Sequence, residues 1–286
     1  MALSKEWSDL KDKWLKCEEK VIIKEYSNND VKKLLDNYHQ AILTHKDNLK
    51  KTMATICRNI LEEEEDFNDE KHLELLWIQS IHKILIYNPL ICPDFKELAY
   101  RSHIVDRLLN DAFLDLRCIQ VITGEIDNDD RKEQIKNSKG PVGVGWKHDI
   151  TYYIKVNNMK FRICVGEVVS NAFTKDVKKE FKDRSKIFDA MQLSLRKLRS
   201  ALAERNVDPK DINLVETYGV LIHRKTFTFY AMHYQDDAYL VDKMDLFSLP
   251  EDAYDLRKLH HIIERILCFK DRIINTYKKR IGSVKA

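Results

Sequence analysis

The sequence is poor in glycine and proline, the two residues that most often interrupt regular secondary structure. It contains only seven Gly and five Pro in 286 residues, with 44% hydrophobic and 33% charged residues. This composition is typical of an ordinary globular protein rich in helix, and it argues against a disordered chain. The length is enough to bury a sizeable core, in one large domain or in a core domain with a helical extension.

Closely spaced cysteines and long apolar runs are absent as well. The six Cys form no Cys-x-x-Cys pair, so the sequence predicts neither a zinc ribbon nor a small disulfide framework. The first residues lack the apolar core of a secretory signal, and no apolar run approaches the ~20 residues of a membrane span. We therefore expect an intracellular protein of the cytoplasm or nucleus, with no membrane as a partner.

The chain also lacks a strong excess of charge of one sign. Its formal net charge of +3 is too small to indicate nucleic-acid binding, so the distribution of positive charge matters more. Between residues 174 and 210 there are eleven Lys and Arg against six Asp and Glu. The basic surface is therefore concentrated on one segment.

Helical periodicity dominates the first part of the chain and strand-like alternation the second. We predict an N-terminal helical region over residues 1–92 and a second domain over 93–286. The second domain begins with a helix over 94–118, whose expected inner face includes Leu98, Ser102, Val105, Leu109, Ala112 and Leu116. A polar loop is expected over 124–145, since it carries an acidic cluster and three closely spaced glycines.

The rest of the second domain alternates strands and helices. The patterns predict strands over 149–156 and 159–169 around an Asn157-Asn158 turn, a long amphipathic helix over 174–203, strands over 218–223, 227–233 and 239–249, and a final helix over 253–280. We therefore predict an α+β (mixed α/β) fold in which helices flank a mixed β-sheet.

Two acids stand at the ends of apolar strands, a setting that is unusual for a carboxylate. Asp149 begins the first strand of the hairpin, and Glu167 lies near the end of the second, in Val-Gly-Glu-Val-Val. An ionised carboxylate there must be solvated, paired or bound to metal, because an unpaired buried charge costs several kcal/mol. Hard oxygen ligands suit Mg²⁺ or Mn²⁺. The alternative is a pair of structural or solvated carboxylates.

The register of the hairpin decides whether the two acids can share a site. In a hairpin, opposed residues have numbers with a constant sum, and Asp149 and Glu167 require a sum of 316. A strict two-residue turn at Asn157-Asn158 gives 315 and puts the acids on opposite faces. A metal site therefore requires a three-residue loop or a β-bulge near Asn157.

The pattern Gly-x-Lys-x-Asp149, a hairpin, Gly-Glu167-Val and a long helix resembles the core of the PD-(D/E)XK nuclease superfamily, especially a group of largely uncharacterised fungal proteins. The resemblance covers roughly residues 97–279 and continues in Tyr218-Gly219-Val220 and Phe247-Ser248-Leu249-Pro250. It implies a restriction-endonuclease-like core with a four-stranded mixed sheet. It also implies a Mg²⁺ or Mn²⁺ ion held by Asp149, Glu167 and the carbonyl of Val168.

One position departs from the family pattern. The superfamily lysine two residues after the glutamate is Val169 here, so a cation from the following helix would have to replace it. On a helical wheel, Arg184 lies within the apolar arc of Val177, Phe181, Phe188 and Leu195, whereas Lys186 points away from that arc. Arg184 is the first candidate catalytic cation, and Lys186 and Lys175 are weaker ones.

Neighbouring residues add smaller predictions. Glu97 is a candidate for the acid that the superfamily often carries on its first core helix. His148 is interpreted as an exposed strand residue rather than a ligand. The residues expected to contact nucleic acid are lysines before the hairpin and on the long helix: Lys147, Lys175, Lys178, Lys179 and Lys182.

These features leave three functions open. The first is a Mg²⁺-dependent nuclease that cleaves phosphodiester bonds in DNA or RNA, with DNA as the first expected partner. The second is a nuclease fold without catalysis that binds nucleic acid or protein. The third is an interaction protein whose N-terminal helices bind a partner or a second copy of the chain, with the acids incidental.

Overall fold

The computed structural model describes residues 36–37, 40, 76–78, 80–81, 96–127, 147–156, 159–250 and 258–278. Most of the predicted N-terminal helical region, the predicted domain boundary at 92 and 93, the Asn157-Asn158 turn and residues 128–146 lie outside these ranges. The described residues before 82 are helical, and Trp77, Ile78 and Ile81 among them are buried. Trp77 also donates a hydrogen bond from Nε1 to the carbonyl of Arg107, at 2.9 Å. This part of the first region therefore packs on the second.

The second part of the chain alternates helices and strands, as the sequence predicts. In chain order the elements are helix α1 (Glu97–Tyr100), a π-helical turn (Arg101–Val105), α2 (Asp106–Leu109), a 3₁₀ turn (Asp111–Phe113), β1 (Ile119–Asp127), β2 (Lys147–Val156), β3 (Met159–Val168), α3 (Val177–Ala203), α4 (Pro209–Ile212), β4 (Thr217–His223), β5 (Thr226–Gln235), β6 (Ala238–Ser248) and α5 (Leu259–Lys278).

The six strands form one mixed sheet in the order β1-β2-β3-β4-β5-β6. All neighbouring strands are antiparallel except β3 and β4, which are parallel because α3 crosses from the end of one to the start of the other. The predicted α+β class with a mixed sheet flanked by helices is confirmed. Within the described ranges the sheet has six strands, however, rather than the four that the resemblance implies.

Strand β1 was not predicted, and residues 124–127 were assigned to a loop. Its sequence, Ile-Gln-Val-Ile-Thr-Gly-Glu-Ile-Asp, alternates poorly and contains a glycine, which weakens strand propensity. Gly124 has a φ of 116°, and the pairing with β2 shifts register between Thr123 and Ile126. A bulge with a left-handed glycine therefore interrupts the strand where the sequence pattern indicated a loop.

Helix α1, the π-helical turn, α2 and the 3₁₀ turn together form what we call the first helical stretch, over residues 97–113. Its buried face differs from the predicted one in the first turns. Leu98 is 64% exposed and Ser102 is exposed, whereas Tyr100 and Ile104 are buried. The π-helical turn from Arg101 to Val105 takes more residues per turn than an α-helix, which rotates the buried face. The remaining predicted positions, from Val105 to Leu116, are buried as expected.

The inner face of α3 also differs at its N-terminal end. Asp176 caps the helix by accepting a hydrogen bond from the backbone of Lys179, at 2.8 Å. Val177 and Phe181 are 56% and 64% exposed, and the buried side chains of the helix are Asp183, Ile187, Ala190, Met191, Ser194, Leu195, Leu198 and Leu202. The helical-wheel arc drawn through Val177 and Phe181 was therefore wrong at that end.

Helices α3 and α5 cover opposite faces of the sheet at β4. Gly219 faces Ile187 and Met191 of α3. Its neighbour Tyr218 faces α5, where its hydroxyl contacts Thr276 Oγ1 at 2.8 Å. Successive side chains of a strand point to opposite faces, so the two helices lie on either side. The predicted inward positions of α5 within the described range, from Leu259 to Tyr277, are buried.

Replacing Gly219 with Ala is expected to lower the free energy of unfolding by about 1–3 kcal/mol, because the α3 face is filled. An added Cβ would stand 2.5 Å from Ile187 Cγ2 and 2.7 Å from Met191 Sδ. Urea unfolding measures the loss. Combining Gly219→Ala with Met191→Ala should cost less than the sum of the two single changes. Strict additivity, or no loss in Gly219→Ala, would show that this contact is not tight.

Candidate functional site

The hairpin that carries the two acids changes register within β3. Pairs from Val156 and Met159 to Tyr153 and Arg162 follow the 315 sum, and pairs from Tyr152 and Cys164 to Ile150 and Gly166 follow the 316 sum. Ile163 is the extra residue. The 316 register that a shared metal site requires is present up to the last pair of the ladder. The change of register occurs inside β3, however, and not near Asn157.

Glu167 lies just beyond the paired part of the hairpin and is only 3% exposed. Its Oε1 is 2.8 Å from Lys186 Nζ and 2.5 Å from His148 Nδ1. The pKa of the Glu167 carboxyl is raised to about 8, chiefly by burial and also by the charge of Asp149, against the lowering effect of Lys186. Near pH 7 the Glu167 carboxyl is therefore mostly protonated, unless additional positive charge nearby lowers its pKa.

His148 is buried, so its interpretation as an exposed strand residue was wrong. The pKa of its imidazole is lowered to about 3, chiefly by burial and also by the charges of Lys186 and Arg162. The ring is therefore neutral near pH 7, and its Nδ1 shares a proton with Glu167 Oε1. Alternation along β2 gave no signal for this burial, because residues 150 to 154 are buried on both faces of the strand.

Asp149 contacts both the end of β3 and the π-helical turn. Its Oδ2 accepts a hydrogen bond from the backbone N–H of Val168 at 2.8 Å, and its Oδ1 is 2.7 Å from Arg101 Nη1. Arg101 comes from the π-helical turn. Asp149 thus joins the end of β3 to the first helical stretch, and Arg101 was not predicted as part of the site.

The carbonyl of Val168 contacts a third cation. Lys179 Nζ of α3 donates to this oxygen at 3.1 Å and to Glu97 Oε2 at 2.8 Å. The structure therefore brings Glu97 to the edge of the site through Lys179. Lys179 was predicted as a nucleic-acid contact on the helix surface, and the structure places its ammonium among the acids.

The structure reverses the predicted order of the two candidate cations on α3. Arg184 is 3.9 Å from Glu180 and lies over the Phe181 ring, and its side chain is 38% exposed. Lys186 contacts Glu167 directly. The helical-wheel argument failed because it centred the inner face on Val177 and Phe181, whereas the buried face near this end begins at Asp183 and Ile187.

Two further acids near the site were not predicted. The pKa of Asp183 is raised to about 6, chiefly by burial and also by the charge of Glu167. Burial likewise raises the pKa of Asp106 to about 6, against the charge of Arg101. Asp183 is 5% exposed, and its Oδ2 has no hydrogen-bond partner. The site is therefore richer in buried carboxyl groups than the sequence pattern indicated.

The other lysines predicted to contact nucleic acid lie on the surface near this site. Lys175, Lys178 and Lys182 are exposed around the first turns of α3, and Lys147 is exposed at the start of β2. The side chain of Phe181, which is 64% exposed, stands among the lysines of α3. These residues form a basic surface next to the buried acids.

The predicted oxygen ligands fit a hard divalent cation by their chemistry. Asp149, Glu167 and the Val168 carbonyl contact Arg101, Lys186 and Lys179 respectively, so each oxygen group already attracts positive charge. Within the described ranges, no three His, Cys, Asp or Glu side chains are arranged to hold a metal ion. The predicted ligand set has only two such side chains. A bound ion would compete with the three side-chain cations and with the proton on Glu167.

The free energy of unfolding should depend on pH, because Glu167 is buried and its pKa is raised. Its pKa is raised to about 8, so the folded state holds a proton that the unfolded state releases above the ordinary value near 4.5. Stability therefore falls as pH rises between those values. His148, with its pKa lowered to about 3, has the opposite effect, which is complete by about pH 6.5.

Between pH 6.5 and 8.5, in EDTA, the free energy of unfolding is expected to fall by about 2 kcal/mol because Glu167 loses its proton. Urea unfolding of the wild type and of Glu167→Gln at both pH values measures this fall. The variant should lack most of it. The same fall in both proteins would contradict this assignment.

Comparison with known proteins does not assign the chain to a family. No family model, curated protein or solved structure matches it. Among the described residues, no helix has the length and apolar character needed to cross a membrane.

Proposed function

We propose that the chain is a Mg²⁺- or Mn²⁺-dependent nuclease of the PD-(D/E)XK type, acting on DNA in preference to RNA. The supporting observation is the open end of the hairpin, where Asp149, Glu167 and the Val168 carbonyl each contact a side-chain cation. Such a cluster of oxygens, beside an exposed basic surface, is suited to a divalent ion and to the phosphates of a nucleic acid.

Each group has a distinct role in this proposal. Asp149, Glu167 and the Val168 carbonyl would hold the ion. The bound ion would lower the pKa of a water molecule and stabilise negative charge on the phosphate. Lys186 is next to Glu167 and stabilises negative charge on the reacting phosphate, the role that the residue at Val169 cannot fill. Val169 is buried, and its backbone N–H donates a hydrogen bond to the Ile222 carbonyl, so Val169 belongs to the core.

The exposed basic surface holds the substrate. Lys178 and Lys182 lie on the first turns of α3, the helix that also carries Lys186, and Lys175 precedes its N-cap Asp176. Contacts of lysines with backbone phosphates are independent of sequence and weaken with salt. Lys147 lies next to His148 at the start of β2 and extends this surface towards the hairpin.

Purified protein incubated with plasmid DNA, single-stranded DNA and RNA tests the proposal. We expect cleavage with Mg²⁺ or Mn²⁺ and none with EDTA, with DNA cut faster than RNA. An absence of cleavage by pure folded protein, with both ions and all three substrates, would contradict it.

A second candidate function is a nuclease fold that binds nucleic acid without cutting it. The observation that favours it is the set of ion pairs itself, because Arg101, Lys179 and Lys186 already neutralise the acids. Binding that is lost at high salt, with no cleavage under any condition, would support this function. The third candidate, binding of a protein partner through the N-terminal helices, stays a prediction, since most of that region is outside the described residues.

Replacing Lys186 with Met is expected to slow cleavage by about 100–1000-fold, because one charge on the transition state is lost. Arg184→Met is the matched control on the same helix and should stay within about threefold of the wild type. Single-turnover rates at saturating Mg²⁺ measure both. A large loss in Arg184→Met with little change in Lys186→Met would favour the helical-wheel assignment and contradict the contact at Glu167.

A further inference from the structure

A second concave site lies at the other end of the hairpin from Asp149 and Glu167. It is a cavity of about 350 Å³, lined by the residues that lead into β1, the last residues of β2 and the first residues of β3. Lys155 in its wall lies six positions after Asp149 along β2, a distance of roughly 20 Å along a strand. The cavity is therefore separate from the candidate metal site.

Among the described residues, the charged groups in the wall of this cavity all have the same sign. Arg117, Lys155 and Lys160 line it, and no described Asp or Glu does. The three side chains are exposed, and none of them forms an ion pair in the part of the chain that the structure describes. Lys160 Nζ instead lies 3.9 Å from the centroid of the Tyr153 ring. Three converging cations repel one another, so an anion between them would be favoured.

The floor of the cavity is apolar and nearly buried. Ile119, Ile154 and Tyr153 line it and are 8%, 6% and 9% exposed. A low-dielectric floor strengthens the attraction between the cations and an anion. The volume is at the lower end of ligand pockets, which range over about 300–1,000 Å³. Arg117 adds a planar group that can bind two phosphate oxygens at once.

We propose that this cavity binds a phosphate group of a nucleotide, either free or within a nucleic-acid strand. The cations hold the phosphate, and the apolar floor accepts part of the attached sugar or base. The proposal goes beyond the proposed nuclease function, because it requires neither a divalent ion nor cleavage. If the ligand is a strand, the cavity anchors it about 20 Å from the candidate metal site.

The cavity contains its own reporter, since the exposed Cys118 lines it. The full chain is treated with N-ethylmaleimide in EDTA, and labelling of Cys118 is followed by peptide mass spectrometry. AMP at millimolar concentration, adenosine at the same concentration and a short oligonucleotide are the three probes. Adenosine is the matched control that lacks the phosphate.

We expect AMP or the oligonucleotide to slow labelling of Cys118 at least about threefold, and adenosine to leave it unchanged. Protection by AMP identifies a free nucleotide as a sufficient ligand, and protection by the oligonucleotide alone identifies a strand. Equal labelling with all three probes would overturn the proposal, as would equal protection by AMP and adenosine.

Surface variants test the assignment to these side chains. In Lys155→Ala/Lys160→Ala, half-maximal protection should require at least about tenfold more ligand. Arg196→Ala/Lys197→Ala removes two exposed cations of α3 that belong to neither proposed site, and it should leave protection of Cys118 unchanged. Unchanged protection in the first pair would overturn the assignment. Loss of cleavage has no bearing on these outcomes, so the two proposals can fail separately.

Discussion

Asp149→Asn and Glu167→Gln are each expected to slow Mg²⁺-dependent cleavage at least about 1000-fold. Each variant keeps the shape of the side chain but removes a charge that would hold the ion. The ion supplies several kcal/mol of transition-state stabilisation, and each ~1.4 kcal/mol corresponds to tenfold in rate. Single-turnover cleavage of DNA at saturating Mg²⁺ measures the loss.

Asp189→Asn is the matched control for these two variants. Asp189 is exposed on α3, the helix that carries Lys186. The Asp189→Asn variant should therefore cleave DNA at the wild-type rate. Glu167→Gln leaves Lys186 without its carboxylate, so circular dichroism and melting temperature must show that the variant is folded. Folded Asp149→Asn or Glu167→Gln protein that cuts as fast as the wild type would rule out these residues as ligands.

Lys270→Met is expected to lower the free energy of unfolding by about 3–5 kcal/mol, because it leaves a nearly buried carboxylate without its partner. Lys270 of α5 is 3% exposed, and its Nζ lies 2.7 Å from Asp115 Oδ2. The other oxygen of Asp115 is buried without a hydrogen-bond partner. The pair joins α5 to the residues just after the 3₁₀ turn. Urea unfolding measures the change.

Two comparisons separate the charge of this pair from packing. Arg107→Met removes an ion pair with Asp111 whose arginine side chain is 55% exposed, and it should cost less than about 1 kcal/mol. Lys270→Met/Asp115→Leu removes both charges and should be more stable than Lys270→Met alone. A double variant no more stable than the single one would show that packing, and not the unpaired charge, explains the loss.

The elements that follow simple periodicity could be predicted from the sequence. Helices α3 and α5 have apolar spacings close to 3.6, and strands β2 to β6 are short apolar runs between turn residues. Their bounds agree with the predicted ranges to within a few residues. The predicted start of α5, at residues 253–257, lies outside the described residues. The elements with a local irregularity could not. Strand β1 contains a bulge at Gly124, and the first helical stretch contains a π-helical turn, neither of which has a simple periodic signature.

The candidate site likewise contains residues that the sequence could predict and residues that it could not. The two acids are recognisable because carboxylates are rare at the ends of apolar strands, and the required register follows from counting along a hairpin. Lys186 was ranked below Arg184 because the wheel treated Val177 and Phe181 as buried, and both are exposed. Arg101 comes from a different part of the chain, so only the folded structure could bring it to Asp149.

The position of a bound Mn²⁺ ion tests the central claim most directly. Anomalous diffraction from crystals of the wild-type protein grown with Mn²⁺ locates the ion. We expect one ion within about 2.3 Å of carboxylate oxygens of both Asp149 and Glu167 and of the Val168 carbonyl, with Lys186 displaced from Glu167. An ion bound elsewhere in the chain, or no anomalous peak at this end of the hairpin at saturating Mn²⁺, would contradict the claim.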